Sequence, residues 1–362
     1  MSNPFTPSYG SIPLLLPGRR EIIAQIMFGL ENGPGDPNRS TVLTGPRGTG
    51  KTVLLHQIAE DALELGWITV YVVANENFLS EILRKLRKAA NEFIADDRNS
   101  ARIKGIKVGS LGIDMELKSN KKTWEESIDE IIDALTSLDI GVVFEIDEVR
   151  GVNERFRRFA SIHQDFISTG RKTSLVLAGL PHNIDSVFKD KSISFIRRSR
   201  KQVLGSISLS EARVTLKRTV ELSGKRIDED ALDLMTAETA GYPYLIQLIG
   251  YEVWQVVTKK KRISAADALT GIENAQRHIE SSLVELVLDD LSEQDKNFLL
   301  ALSESDDPMA MSGIADLMGV DSKYAGVYRR RMIKEGIIES TERGYIDFVL
   351  PHFRKYLRDS NV

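Results

Sequence analysis

Eight consecutive residues, Gly45-Pro46-Arg47-Gly48-Thr49-Gly50-Lys51-Thr52, carry the clearest chemistry in this chain. They fill every fixed position of the pattern G-x-x-x-x-G-K-[ST]. Glycine lets the backbone turn sharply and approach a ligand, and successive N–H groups can then point inward at an anion. A helix that follows adds the positive end of its dipole. The Lys51 ammonium would reach the β- and γ-phosphates of a nucleotide, and the Thr52 hydroxyl would hold Mg2+. Gly45, Pro46, Arg47, Gly48, Thr49, Gly50, Lys51 and Thr52 are therefore expected to cradle ATP or ADP with Mg2+.

A second stretch supplies what that cradle lacks. Val142-Val143-Phe144-Glu145-Ile146-Asp147-Glu148 reads as an apolar strand that delivers Asp147 to its carboxyl end, where open α/β sheets place their ligands. Asp147 is expected to orient Mg2+ through water, and Glu148 to polarise the attacking water. An Asp-Glu pair after an apolar run is common by chance. Its weight here comes from being chemically complementary to Lys51 and Thr52. Glu145 breaks the apolar run, and the pattern gives no reason for it.

These residues need elements to hold them. Thr41-Val42-Leu43-Thr44 is β-prone, and Leu54, Leu55, Ile58 and Ala62 recur at helical spacing, so a strand, the loop and a helix follow in order. A helix is expected over Arg20 to Leu30. A second strand is expected over Trp67–Val73, a basic helix over 78–94, a third strand over 141–146, a fourth over 174–179 and a fifth over 203–209. Strands separated by helices imply crossovers and a parallel sheet. Residues 102–118 alternate around central glycines and suggest an inserted β-hairpin, either a contact element or a decorated loop. From about Ser210 the pattern turns helical. Lys259-Lys260-Lys261-Arg262 lies between two of those helices, as a solvated turn or, alternatively, a nucleic-acid contact.

Composition narrows the classes. The chain has 362 residues, enough for two or three domains, with 42% hydrophobic and 28% charged residues, as in soluble globular proteins. No apolar run reaches the roughly 18 residues of a membrane span. The N-terminal residues lack the basic and apolar regions of a secretory signal. With no cysteine, disulfides, thiolate catalysis and Cys-based zinc sites are excluded, which fits a cytoplasmic setting. A formal net charge of −4 means that any nucleic-acid contact must come from a local patch.

Over residues 11–290 the chain resembles an AAA+ ATPase module with its helical lid, in the branch shared by origin-recognition-type initiators and STAND signalling ATPases. Pro17-Gly18-Arg19-Arg20-Glu21 is similar to the G-R-x-x-E box near the adenine. The P-loop and Asp147-Glu148 match directly. Ala178-Gly179-Leu180-Pro181 ends the fourth strand as in many relatives, and Gly241-Tyr242-Pro243-Tyr244-Leu245 resembles the G-x-P lid motif. The resemblance implies nucleotide contacts from Arg19 and Pro243. It also implies an α/β fold with a P-loop parallel sheet and an inserted central strand, for which the stretch between Lys51 and Asp147 leaves room. A helical lid and a C-terminal winged-helix domain would follow. Relatives place an arginine finger near Phe195-Ile196-Arg197-Arg198, so Arg197 and Arg198 join Lys51 and Glu148 as catalytic candidates; a solvated basic surface is the other reading of that segment. The chain departs from the family in two places. The fourth strand ends without a polar sensor, His182 and Asn183 lying just beyond, and G-x-P replaces the usual lid arginine. Both departures imply slow hydrolysis.

Residues from about Leu291 onward look like a winged helix. Ser292 can cap a first helix, Ser312–Met318 gives a short second one, and Lys323–Lys334 is the candidate recognition helix. On a wheel at about 100° per residue, Ala325, Tyr328 and Met332 fall together, and Lys323, Arg330 and Lys334 fall opposite. Such a helix buries one face and offers the other to phosphates or base edges. Residues 337–348 read as two strands around a polar turn.

The expected organisation is an α/β nucleotide-binding domain over 1–208, a helical lid over 209–290 and a winged helix over 291–362. The expected activity is an intracellular ATPase switch, converting ATP and water to ADP and phosphate slowly. It would couple nucleotide state to double-stranded DNA or to an ATP-dependent homo-oligomer, with no membrane partner. The alternative is a STAND-like signalling or defence ATPase whose winged helix makes protein contacts.

Overall fold

The computed structural model describes residues 2–8, 10–95, 122–279, 288 and 291–359. The β-hairpin expected at 102–118 lies outside them. The chain forms two compact bodies, Arg19–Gly45 with Lys51–Leu204, and Met1–Gly18 with Pro46–Gly50 and Gly205–Val362.

The first body is a parallel sheet covered on both faces. Its strands are β1 (Ser40–Thr44), β2 (Trp67–Val73), β3 (Gly141–Asp147), β4 (Thr173–Gly179) and β5 (Arg200–Val203), in the order β2-β3-β4-β1-β5. Its helices are α1 (Arg20–Asn32), α2 (Lys51–Glu64), α3 (Phe78–Ala95), α4 (Trp124–Ser137), α5 (Glu154–Ser168) and α6 (Pro181–Lys189). Strand side chains alternate between faces, so β3 sends Val142, Phe144 and Ile146 into one core and Val143 into the other. The first core is closed by Phe78, Ile82, Leu86, Ala90 and Phe93 of α3, spaced at one helical turn, with Ile128 and Ile132 of α4 and Phe159 of α5. The second is closed by Ile26 and Leu30 of α1 and Leu54, Leu55 and Ile58 of α2. A Thr123–Glu126 capping box starts α4, supplying partners to N–H groups that would otherwise have none.

Two sequence expectations are corrected here. The inserted strand is β4, which lies between β1 and β3 and follows Asp147 in the chain. The strand between Lys51 and Asp147 is β2, at the sheet edge beyond β3. The fifth strand is Arg200–Val203 rather than 203–209. It is an edge strand whose residues are mostly exposed and polar, so no apolar periodicity announces it.

The second body contains α7 (Leu209–Leu222), α8 (Glu229–Thr239), α9 (Pro243–Val256) and α10 (Ala265–Ile279), with short strands β6 (Arg226–Ile227) and β7 (Arg262–Ile263). Lys259, Lys260 and Lys261 lie in the turn between α9 and β7, and Arg262 begins β7. There Lys260 pairs with Asp267 at 2.5 Å, and buried Lys225 donates to the carbonyls of Val257 and Lys260, both at 2.6 Å. Met1–Gly18, expected to lead into the α/β part, groups instead with these helices. Phe5 is buried against Gly250, where a Cβ would fall 2.3 Å from its ring.

The same body continues through α11 (Glu293–Ser303), β8 (Met309–Ala310), α12 (Met311–Met318), α13 (Ser322–Glu335), β9 (Ile338–Ser340), β10 (Tyr345–Phe348) and α14 (Phe353–Asp359). Strands β8, β9 and β10 form an antiparallel sheet in the order β8-β10-β9. One apolar core runs from Leu216, Leu245 and Ile249 to Phe298, Met332 and Phe353.

Candidate functional site

In the first body, β3 and the start of α2 bring Asp147 and Thr52 together. The Thr52 hydroxyl donates to Asp147 Oδ2 at 2.6 Å. The Tyr71 hydroxyl, from the adjacent strand β2, donates to the same oxygen at 3.2 Å, and the Glu148 N–H donates to Oδ1 at 2.7 Å. Asp147 is 2% exposed, so these donors replace the water it gave up on burial. Lys51, on the same first turn of α2, donates to the Gly45 carbonyl at 2.8 Å. Two hard oxygen ligands beside an ammonium form a donor set suited to Mg2+ and phosphate.

Glu148 follows with φ of +50°, a conformation that costs a non-glycine residue of order 1 kcal/mol and recurs where function requires it. Its carboxylate accepts from Arg150 at 3.1 Å. Both side chains are solvated, so the pair contributes at most about 1 kcal/mol.

Glu145, unexplained by the sequence pattern, lies on the same face of β3 as Asp147, one strand repeat earlier. It is fully buried with neither carboxyl oxygen hydrogen-bonded. Burial first, and the Asp147 charge second, push its pKa well above the usual carboxylate range. On the opposite face, His163 of α5 is buried among Phe144 and Phe159. Burial lowers its pKa to about 4, against a weaker pull from the Ser174 backbone.

The remaining loop residues belong to the second body. Gly48 has φ of +76°, and a Cβ there would fall 2.8 Å from the Tyr242 ring, so only glycine fits. The Thr49 hydroxyl donates to the Pro46 carbonyl at 2.8 Å. The Tyr242 hydroxyl donates to the Arg47 carbonyl, and the Tyr244 N–H donates to the Gly48 carbonyl at 3.1 Å. Burial raises the Tyr242 pKa, keeping the phenol a donor. Pro243 occupies the first turn of α9, where its missing N–H costs nothing. Gly241 cannot be replaced, since a Cβ would lie 2.1 Å from the Ile207 carbonyl oxygen. Sequence reasoning missed Tyr71, Tyr242 and Tyr244 as site residues. The only available signal was the position of the last two beside Pro243.

Other candidates lie elsewhere. Arg19 immediately precedes α1, makes no side-chain capping bond there, and is buried. Arg197 and Arg198 lie on a short 3-10 turn, Ser194–Arg198, and both are exposed. The Arg197 guanidinium donates to the carbonyls of Phe188 and Lys189 at the end of α6, so one of the two candidate fingers is bound to its own subunit. On α13, Lys323, Arg330 and Lys334 are all exposed, and Ala325 and Met332 are buried. The two other basic residues of that helix have structural partners. Arg329 donates to Ser340 at 2.7 Å, and Arg331 pairs with fully buried Asp295 at 3.1 Å.

Residues 36–188 match a family described as AAA domain, and residues 281–357 match one described as a domain of unknown function. No curated protein matches. Among solved structures, the chain is similar to the Walker-type ATPase of Pyrococcus abyssi at 15% identity and a TM-score of 0.69, covering 95% of this chain and 96% of that one. The ORC2 protein of Aeropyrum pernix, solved in ADPNP-ADP complexes, gives 13% identity and a TM-score of 0.65 over 98% and 96% of the two chains. Cdc6p from Pyrobaculum aerophilum gives 16% and 0.54 over 98% and 97%. The fold is that of an AAA+ P-loop ATPase. Among the described residues, no helix is long and apolar enough to cross a membrane.

Proposed function

We propose that this chain is a slow ATPase whose nucleotide state governs a DNA-binding winged helix. The observation that supports this most strongly is the 2.6 Å bond between Thr52 and Asp147. It joins the two motifs, distant in sequence, whose residue types suit Mg2+ and a phosphate chain.

In this reading the N–H groups of Pro46-to-Thr52 backbone, proline excepted, hold the β-phosphate, and Lys51 leaves the Gly45 carbonyl to neutralise the γ-phosphate. Thr52 and Asp147 hold Mg2+, which when bound draws charge from the phosphate oxygens. Glu148 accepts a proton from the attacking water as the P–O bond to ADP breaks. Arg19 and Pro243 contact the nucleotide, as the family resemblance implies. Arg198 is the better finger candidate for a neighbouring copy, since Arg197 is already engaged. Lys323, Arg330 and Lys334 supply phosphate contacts from α13. The antiparallel sheet β8-β10-β9 behind three helices supports the winged-helix reading.

Phosphate release from ATP tests the activity. The chain should release phosphate in the presence of Mg2+, and Lys51→Ala should reduce the rate by about 100-fold or more, the scale of losing one preorganised charge contact. Equal rates with and without that lysine would refute the reading.

One observation favours the signalling alternative. The core shared by α9 and α11, together with the His352–Glu238 carbonyl contact at 2.8 Å, ties the C-terminal elements to the helical bundle. A scaffold whose winged helix serves protein contacts would show nucleotide-dependent size on gel filtration and no shift with duplex DNA.

A further inference from the structure

We propose that Tyr71 is a positioning residue for Asp147 and sets how tightly the site takes a divalent cation. The inference rests on the reading of Thr52 and Asp147 as Mg2+ ligands. It goes beyond that reading by naming a third residue, outside both motifs, on which the cation affinity depends.

The geometry is specific. β2 pairs with β3 in parallel register, Tyr71 opposite Glu145 and Val73 opposite Asp147. A side chain long enough to reach one repeat toward the strand's carboxyl end therefore meets Asp147, and the phenol does, at 3.2 Å from Oδ2. With Thr52 at 2.6 Å on the same oxygen and the Glu148 N–H at 2.7 Å on the other, Asp147 receives three donors. Two donors on one oxygen and one on the other fix rotation about its Cβ–Cγ bond. A carboxylate held in one rotation gives up less freedom on meeting a cation, which is how groups behind metal ligands act on affinity.

Tyr71 is itself held by His56 and Lys85. Its ring meets His56 of α2 edge-on at 5.2 Å. The Lys85 ammonium lies 5.6 Å from the ring centre and donates to the Tyr71 carbonyl at 2.8 Å. A ring fixed by packing presents its hydroxyl at one place. Phenylalanine would keep the ring and its packing and remove only the donor.

The test is calorimetric binding of ADP at a series of Mg2+ concentrations, with an EDTA arm, for the unaltered chain and Tyr71→Phe. The Mg2+ concentration at half-maximal binding enhancement should rise about 10-fold in the variant, the lower end of what loss of a ligand's outer partner costs. ADP affinity in EDTA and the thermal midpoint without nucleotide should be unchanged, which separates a positioning role from a merely structural one. Superimposable Mg2+ curves for the two proteins would overturn the role of Tyr71 and leave the nucleotide reading standing. If the unaltered chain shows no Mg2+-dependent ADP binding, the nucleotide reading itself fails and this inference falls with it. If Tyr71→Phe is unfolded, His56→Leu, which removes the edge-on ring contact at 5.2 Å and leaves the phenol in place, gives a second reading: the Mg2+ curve should shift in the same direction, and a curve superimposable on that of the unaltered chain would again overturn the proposal.

Discussion

The carboxyl end of β3 and the exposed face of α13 both gather charge, by opposite means. At Asp147 the charge is buried and met by three donors from the flanking elements, so its direction is fixed before any ligand arrives. On α13 the charges of Lys323, Arg330 and Lys334 stand in solvent on long flexible stems. The helix settles only which way they face, through buried Ala325 and Met332. The first arrangement suits a small ion, where tenths of an ångström matter. The second suits a polyanion, where summed charge matters more than placement. Changes at the first should therefore act steeply and singly, and changes at the second gradually and together.

The largest expected effect lies at the fixed end. Glu148→Gln keeps size and removes the proton acceptor, so hydrolysis should fall by about 10²–10⁴-fold with nucleotide binding retained. A fall in binding of similar size would show that Glu148 shapes the pocket rather than the chemistry.

Two buried titratable groups behind that site sharpen the contrast between partnered and unpartnered charge, and they have opposite pH signs. His163 has a folded pKa of about 4, below the 6.5 of the unfolded chain, so the unfolded state holds the extra proton between them. Its contribution is present above pH 6.5 and is lost as pH falls through about 4. The loss amounts to about 3 kcal/mol. His163→Phe should flatten that limb in urea melts between pH 4 and 7. Glu145 has a folded pKa raised above its unfolded value. Its contribution is present at acid pH and is lost as pH rises through the folded value. Glu145→Met should therefore raise stability most at neutral pH. An unchanged profile in both variants would mean that neither group is held as described.

The smallest expected single effects are on α13. Replacing Lys323, Arg330 and Lys334 together by Ala should lower the slope of log affinity against log salt for duplex DNA by up to about 3, each alone giving about one third. No binding at low salt, or an unchanged slope, would leave α13 to protein contacts.

The same contrast explains what was legible in the chain. The loop and β3 could be read because their chemistry is local. Gly48, Lys51 and Thr52 are neighbours in sequence, and β3 is an apolar run interrupted only by Glu145 before its terminal Asp147. α13 was legible because its buried and exposed residues repeat at helical spacing. β5 was not, because an edge strand of Arg200, Lys201 and Gln202 carries no apolar rhythm. The place of β4 between β1 and β3 was not either, since strand order depends on pairing among segments far apart in the chain. Tyr71 and Tyr242 stayed hidden for the same reason. Tyr71 reaches Asp147 only through the β2–β3 register, and Tyr242 reaches Arg47 only once the helices are packed. Arg331 meets buried Asp295 only once α11 and α13 are brought together.

Calorimetry of ATP against the intact chain, with and without Mg2+ and with Asp147→Asn beside it, tests the central claim most directly. The account predicts Mg2+-dependent heat in the unaltered chain and loss of the Mg2+ dependence in the variant. Absence of heat with a folded chain, or the same Mg2+ dependence after Asp147 is neutralised, would contradict it.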